Sequence, residues 1–304
     1  MRISTQNFYS GSGARLSDLQ AKVGQTMQQI ASGSKLLTPS QDPAAAVRAL
    51  DVTQSMAVRE QFGKNRESLR SNMGLADNTL TSMQDNLAGI NEQVILANNS
   101  TRTSEDLASI AIVLKGQQEQ MLGLANSTDS SGNYLFAGQQ STTQPFQRDA
   151  SGVSYLGDDQ PQLVQVETGR EMAIREGGRS LFPKDSSDKD LFSLLGDTIA
   201  QLEDSSLSPA QRADSLKALG QSIESTQVAL SSRQTAVGVH MGELDRLDDL
   251  SGARLLQNTQ ELNALQDIDY NKTLSDLSRQ QLSLQAAQKS FQMVSSLSLF
   301  NYLG

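Results

Sequence analysis

Leu69, Met73, Ala76, Leu80, Met83, Leu87, Ile90, Val94 and Ala97 follow one another at alternating steps of four and three. On a helix that spacing puts every one of them on a single narrow stripe, the seam of a coiled-coil-type contact. A strand, with its side-chain period of two, cannot gather such a set on one face. The stripe therefore commits the chain to a long helix that another helix must cover. Asp42-Pro43 marks its start, because aspartate can cap the free amides and proline suits the first helical position. From Ala44 to Asn98 such a helix would be roughly 80 Å long at 1.5 Å per residue. That is a rod, not the interior of an enzyme.

Two more helices carry the same kind of pattern. One begins near Thr103 with an acidic first turn and carries Leu107, Ala111, Leu114, Met121 and Ala125. Another begins at Ser208-Pro209-Ala210-Gln211, where serine and glutamine have capping-box spacing. Leu216, Ile223, Leu230, Val237 and Leu244 then repeat every seven residues, the phase slips near Ser251-Gly252, and apolar positions resume at Leu255, Leu262 and Leu265. Aromatic residues make up only 4% of the 304, with no tryptophan, so the core between these helices must be aliphatic. Between the helical stretches the texture changes. Pro145, Pro161 and Pro183 fall in residues 133–183, with short β-like runs at 134–137, 153–156, 162–166 and 171–175 separated by turn residues. Four short strands cannot build a large core alone.

Both ends read as amphipathic helices. Leu16, Val23 and Ile30 sit seven apart with Leu19 and Met27 beside them, and Leu277, Leu284 and Phe291 repeat the spacing with Ala287 and Val294 alongside. Neither end has the dense flanking charge of a soluble two-stranded coil, which favours burial in something thicker than a dimer. Phe291 and Val294 continue the stripe toward the N-terminal helix. Met293, Leu297 and Phe300 lie around from it and are expected to face neighbouring subunits. The predicted fold is mainly α with a small β insert: a long antiparallel helical bundle or coiled-coil rod built from both ends of the chain, with the β domain inserted at its tip. The boundaries read as 1–38 with 266–304 for the terminal helices, 39–132 with 190–265 for the rod, and 133–189 for the β domain.

Chemistry finds little to stand on. The net charge is −9 and no basic cluster exists, which argues against nucleic acid. There is no cysteine, and His240 is the sole histidine, read as a packing or surface residue. Asp248-Asp249 and Asp267-Ile268-Asp269 read as a solvated face and a helix break before they read as a cation site. No glycine-rich phosphate loop or nucleophile-elbow motif occurs, and no catalytic, cofactor or metal residue is expected. No run of apolar residues is long enough to span a membrane. MRISTQNFYSGSG does not read as a cleaved secretory signal.

Three segments carry a resemblance: MRISTQNFY, IASGSKLLTPSQDPAAAVRAL at 30–50, and LQAAQKSFQMVSSLSLFNYL near the end. They resemble the flagellin superfamily, and within it the hook–filament junction proteins more than flagellin. Flagellins tend to carry an SGLRINSAKDDAAG-like segment where this chain has SGSKLLTPSQDPAAA, and Thr38-Pro39-Ser40 with Pro43 fits the junction type. The resemblance implies a structural subunit of the bacterial flagellum whose paired terminal helices polymerise in a ring or helical assembly. It also implies neighbours of the hook-associated and flagellin types, a cytoplasmic export chaperone on the C-terminal helix, and an extracellular location reached without a cleaved signal. The alternatives are flagellin itself and, outside the family, a soluble coiled-coil scaffold that dimerises. In the free monomer the terminal helices are expected to order on assembly.

Overall fold

The computed structural model describes residues 2–99, 101–149 and 152–303, with side chains described over 7, 9–99, 101–148 and 152–295. Helix α1 (Arg2–Ser32) is followed by α2 (Pro43–Ala97) and α3 (Ser104–Ala125). Two hairpins come next, β1 (Phe146–Asp149) with β2 (Gly152–Tyr155), and β3 (Gln162–Glu167) with β4 (Arg170–Arg175). A 3₁₀ turn at Arg179–Leu181 leads to α4 (Leu191–Glu203), α5 (Pro209–Gln266) and α6 (Tyr270–Leu303). By its contacts the chain divides into two compact units, 1–58 with 252–304 and 59–251.

The helix starts follow their caps. Asp42 accepts from the Ala45 amide at 3.0 Å and opens α2. Thr103 and Asp106 complete a reciprocal capping box on α3. At the start of α5 the Gln211 side chain accepts from the Ser208 amide at 2.9 Å. Asp190 caps α4 by accepting from the Ser193 amide at 2.9 Å, and a strongly apolar face follows: Leu191, Phe192, Leu194, Leu195, Ile199 and Leu202 are all buried. This helix escapes the heptad reading because it is only 13 residues long.

In the 59–251 unit, α2 and α5 run antiparallel, with Arg66 and Arg70 opposite Asp248 and Gln84 hydrogen-bonded to Gln234. Their seams meet as the spacing requires. Leu69, Met73, Leu80, Met83, Leu87, Ile90, Val94 and Ala97 of α2 are buried with Leu216, Ile223, Leu230, Val237 and Leu244 of α5. The α3 stripe from Leu107 to Ala125 joins the same cluster, and α4 packs on α3.

The insert differs from its expected layout in one strand. Residues 134–137 do not form a strand; they make single bridges, Thr128 with Tyr134 and Ala137 with Gly177. The fourth strand is instead Phe146–Asp149, paired in register with β2. The physical reason is a loop held by Asp129, whose carboxylate accepts from the Ser131 and Asn133 amides at 2.9 Å and pairs with Arg175 in the interior. That closed loop delivers Leu135 and Phe136 to the core without a ladder. Tyr155 ties the insert together, its hydroxyl lying 3.1 Å from the Phe136 carbonyl and accepting from the Gly178 amide at 2.9 Å.

The β3–β4 hairpin lies along the α2–α5 pair and is moored by charge. Arg66, only 3% exposed, pairs with Asp248 and donates to the Val166 carbonyl at 2.8 Å. Asn65 donates to the Gln165 carbonyl at 2.7 Å, Arg59 pairs with Glu167, Arg170 with Glu243, and Arg233 with Glu176. Between these moorings Val166 and Met172 enter the helical core. For Asp248, burial alone would raise the carboxyl, but the hydrogen bonds from Arg70 and Arg66 outweigh it and hold it low.

Two outcomes follow from this packing. Leu80 is fully buried, so Leu80→Ala is expected to lower the unfolding free energy of the full chain by about 2–5 kcal/mol in a urea titration. A change below about 0.5 kcal/mol would mean that the seam is not the core. For Asp129, burial alone would raise the carboxyl, yet the amide donors and Arg175 hold it below the usual carboxylate range. A carboxyl lowered on folding contributes stability above its unfolded value, near 3.9, and loses it as pH falls through the folded value. The gap in urea midpoint between the native chain and Asp129→Asn should therefore be widest at neutral pH and narrow as acid is added. A gap constant with pH would refute that role.

Candidate functional site in the paired terminal helices

The 1–58 and 252–304 unit is built on α1 and α6, which pack against each other along their length. Val23 and Thr26 are buried, and Leu16, Leu19, Ile30, Leu277, Leu284, Ala287 and Phe291 are half-buried. Two contacts fix the pairing directly. Thr26 donates its hydroxyl to Gln280 at 2.9 Å, and the Tyr9 and Phe291 rings meet edge to face at 5.8 Å. Thr26 and Gln280 escape a search for apolar heptads; their spacing, three residues beyond Val23 and three beyond Leu277, is the only sequence signal that they occupy the seam.

Large apolar side chains remain on the outside of this pair. Met27 is 47% exposed, Leu274 49% and Leu282 68%. Met293 lies on the outside as well, at 54%. Val294 is 40% exposed, so it sits with Met293 and not in the stripe continued by Phe291. Phe291 stays against α1 through Tyr9, whereas Val294 is exposed although it lies seven residues beyond the half-buried Ala287. The side chains of Leu297 and Phe300 lie outside the described residues.

The helices are joined to the rest of their unit by two short linkers that meet. Gly33 leaves α1 with φ +69°, a conformation that favours glycine. The Lys35 amide donates to the Gln266 carbonyl at 2.6 Å, the Ile268 amide donates to the Gly33 carbonyl at 3.3 Å, and Ser34 bridges Asp267. Asp269 caps α6 by accepting from the Lys272 amide at 3.1 Å. Asp267-Ile268-Asp269 thus forms the break between α5 and α6. Asp248 departs from the expected solvated face, since two arginines hold it.

His240 lines a cavity of about 40 Å³ with Asn72, Met73, Ala76 and Val237, in the 59–251 unit. Among the described residues no three histidine, cysteine or acidic side chains converge in a way that could hold a metal ion. No helix among them is long and apolar enough to cross a membrane. The terminal pair is thus an antiparallel helix pair, poor in charge, with single leucine, methionine and valine side chains exposed on an otherwise polar outer side.

Residues 3–141 match the family described as the bacterial flagellin N-terminal helical region. Over 315 aligned residues the chain is 30% identical to flagellar hook-associated protein 3 of Escherichia coli K12, covering 99% of both chains. Its fold is similar to that of FlgL from Xanthomonas campestris, with TM-score 0.63 and 19% identity over 70% of this chain and 99% of that one. It is also similar to the flagellar junction protein FlgL from Legionella pneumophila, with TM-score 0.55 and 17% identity over 64% of this chain and 98% of that one. With the likeness to the Escherichia coli protein running through both helical ends and the insert between them, the chain belongs to the flagellar hook-associated protein 3 family.

Proposed function

We propose that this protein is the structural subunit that joins the flagellar hook to the flagellin filament, and that it does so through the outer side of the α1–α6 pair. The observation that carries the residue-level reading is the exposure of Met27, Leu274 and Leu282 on a helix pair with few charges. Over 270–303 the charged residues are Lys272, Asp276, Arg279 and Lys289 alone. Covering a leucine or methionine fully is worth about 1.5–3 kcal/mol. Repeated around a ring or helix of identical subunits, small patches of this kind sum to a durable contact without any one of them being large.

The terminal pair then forms the inner, polymerising element, with further hook-associated and flagellin subunits as its neighbours. Before export, α6 needs a cover for the same apolar side, and a cytoplasmic chaperone bound to that helix supplies it. Flagellin extends into long filaments, whereas a junction subunit is expected to stop after a limited zone.

Truncation after Gln288 is expected to leave the 59–251 unit with its native urea midpoint while cells carrying the shortened chain shed their filaments and stop swimming. Normal motility with that chain would overturn the reading. A finer test is Leu282→Asp. Its side chain is already solvated, so the free chain should keep its stability within about 0.5 kcal/mol, while filament attachment fails. Unimpaired attachment would remove Leu282 from the interface.

A further inference from the structure

The apolar stripes of α1 and α6 do not by themselves choose a register. Leu16, Val23 and Ile30 repeat every seven residues, as do Leu277, Leu284 and Phe291, so a slip of one heptad, about 10 Å, would again place large apolar groups opposite one another. Charges could decide between registers, but over 9–32 there are only Arg15, Asp18 and Lys22. The Thr26–Gln280 hydrogen bond is exchangeable with water and of modest net worth. Something outside the stripes has to hold the setting.

The two linkers provide it. Lys35 donates to Gln266 and Ile268 donates to Gly33, on either side of the Ser34–Asp267 pair, so the chain leaving α1 and the chain entering α6 are joined by a single antiparallel bridge. Gln29 of α1 donates its side-chain amide to the Lys35 carbonyl at 2.8 Å and draws the bridge against the helix end. The φ of +69° at Gly33 disfavours a side chain, and an added Cβ would also lie 3.1 Å from the hydroxyl of Tyr270, the first residue of α6, which would have to shift slightly. Three contacts, Ser34 with Asp267, Thr26 with Gln280 and Tyr9 with Phe291, then follow in antiparallel order along the pair.

We propose that the bridge between the α1–α2 and α5–α6 linkers is a register clamp, which fixes the turn of α1 that faces each turn of α6 and makes the two linkers open together. The clamp decides whether Met27 of one helix and Leu274 and Leu282 of the other line up as one outer surface. Its consequence for assembly rests on the reading of α1 and α6 as the polymerising element; the clamp itself does not.

The chain has no cysteine, so Ser34→Cys with Asp267→Cys allows a single disulfide. Residues opposite each other across an antiparallel bridge have Cα atoms about 4.5–5.5 Å apart, within the range a disulfide spans. Ser34→Cys with Leu274→Cys is the pair that a one-heptad slip would bring together. Each double variant is expressed in cells lacking the native chain, their flagella are oxidised mildly, and closure is read on a non-reducing gel beside a count of attached filaments. The 34/267 pair should close with filaments retained, and the 34/274 pair should stay open. Equal closure of both pairs, or shedding of filaments as 34/267 closes, overturns the clamp. If either variant builds no flagella, the same two pairs are compared on the purified full chain, where failure of 34/267 to close ahead of 34/274 overturns it equally. Adding Gly33→Ala to the 34/267 pair should slow closure about tenfold, the cost of a side chain at positive φ. An unchanged rate overturns the part assigned to Gly33. These gel readouts stand apart from the motility of the chain truncated after Gln288, so loss of one idea leaves the other measurable.

Discussion

Everything in the 59–251 unit depends on burying one apolar seam between two helices too long to hold themselves straight by propensity alone. Isolated helices gain little in water, and most helical stability in proteins comes from a packed face. α2 and α5 supply that face to each other, but two helices leave a seam open on its flank. α3 closes it where Leu107, Ala111, Leu114 and Met121 meet the cluster. Where α3 is absent, the β3–β4 hairpin takes over, giving Val166 and Met172 to the same core. The insert is thus a covering layer of the helical pair as well as an addition to it.

A hairpin covers a helix pair poorly unless its backbone is also accommodated, and the arginines explain how this one manages. Arg66 and Asn65 reach the Val166 and Gln165 carbonyls where the β3–β4 register shifts between Gln165 and Glu167. The same Arg66 is charge-balanced by Asp248 on the opposite helix. One buried guanidinium therefore joins three elements. Buried ion pairs of this kind add little net stability compared with apolar packing, but breaking one leaves a desolvated charge, which makes alternative placements costly. They act on which arrangement forms more than on how tightly it holds.

The heptads of α2, α3 and α5 were legible because apolar period and helix geometry are the same fact seen in sequence and in space; the cores from Leu69 to Ala97 and from Leu216 to Leu244 are buried where the spacing puts them. The caps at Asp42, Thr103 and Ser208 were legible for a similarly local reason. The insert was less so. Residues 134–137 have strand-like composition, yet a carboxylate five residues upstream, at Asp129, sets their path through amides and a distant arginine. No local pattern encodes Arg175 as its partner. α4 went unread because a short helix shows too few repeats to declare a period. At the terminal pair, the apolar stripes could be read from spacing, while the exposure of Val294 goes against its spacing and the linker bridge required knowing that residues 33–35 and 266–268 meet.

The two units differ in how their helices are held together, while both leave apolar side chains exposed. The 59–251 unit satisfies its seam from its own elements and adds moorings of opposite charge, while single aliphatic groups such as Ile95, Ile112, Val228 and Val239 stay exposed. The 1–58 and 252–304 unit pairs one side of each terminal helix and keeps leucine and methionine on the other, with few charges to specify a partner. In the proposed assembly, the exposed leucine and methionine supply adhesion, and the low charge around them keeps the cost of burial small. Such a surface is useful only if every subunit presents it in the same alignment. Shape and register, and not charge, must then carry the specificity, so the geometry of the α1–α6 pair matters more here than its strength.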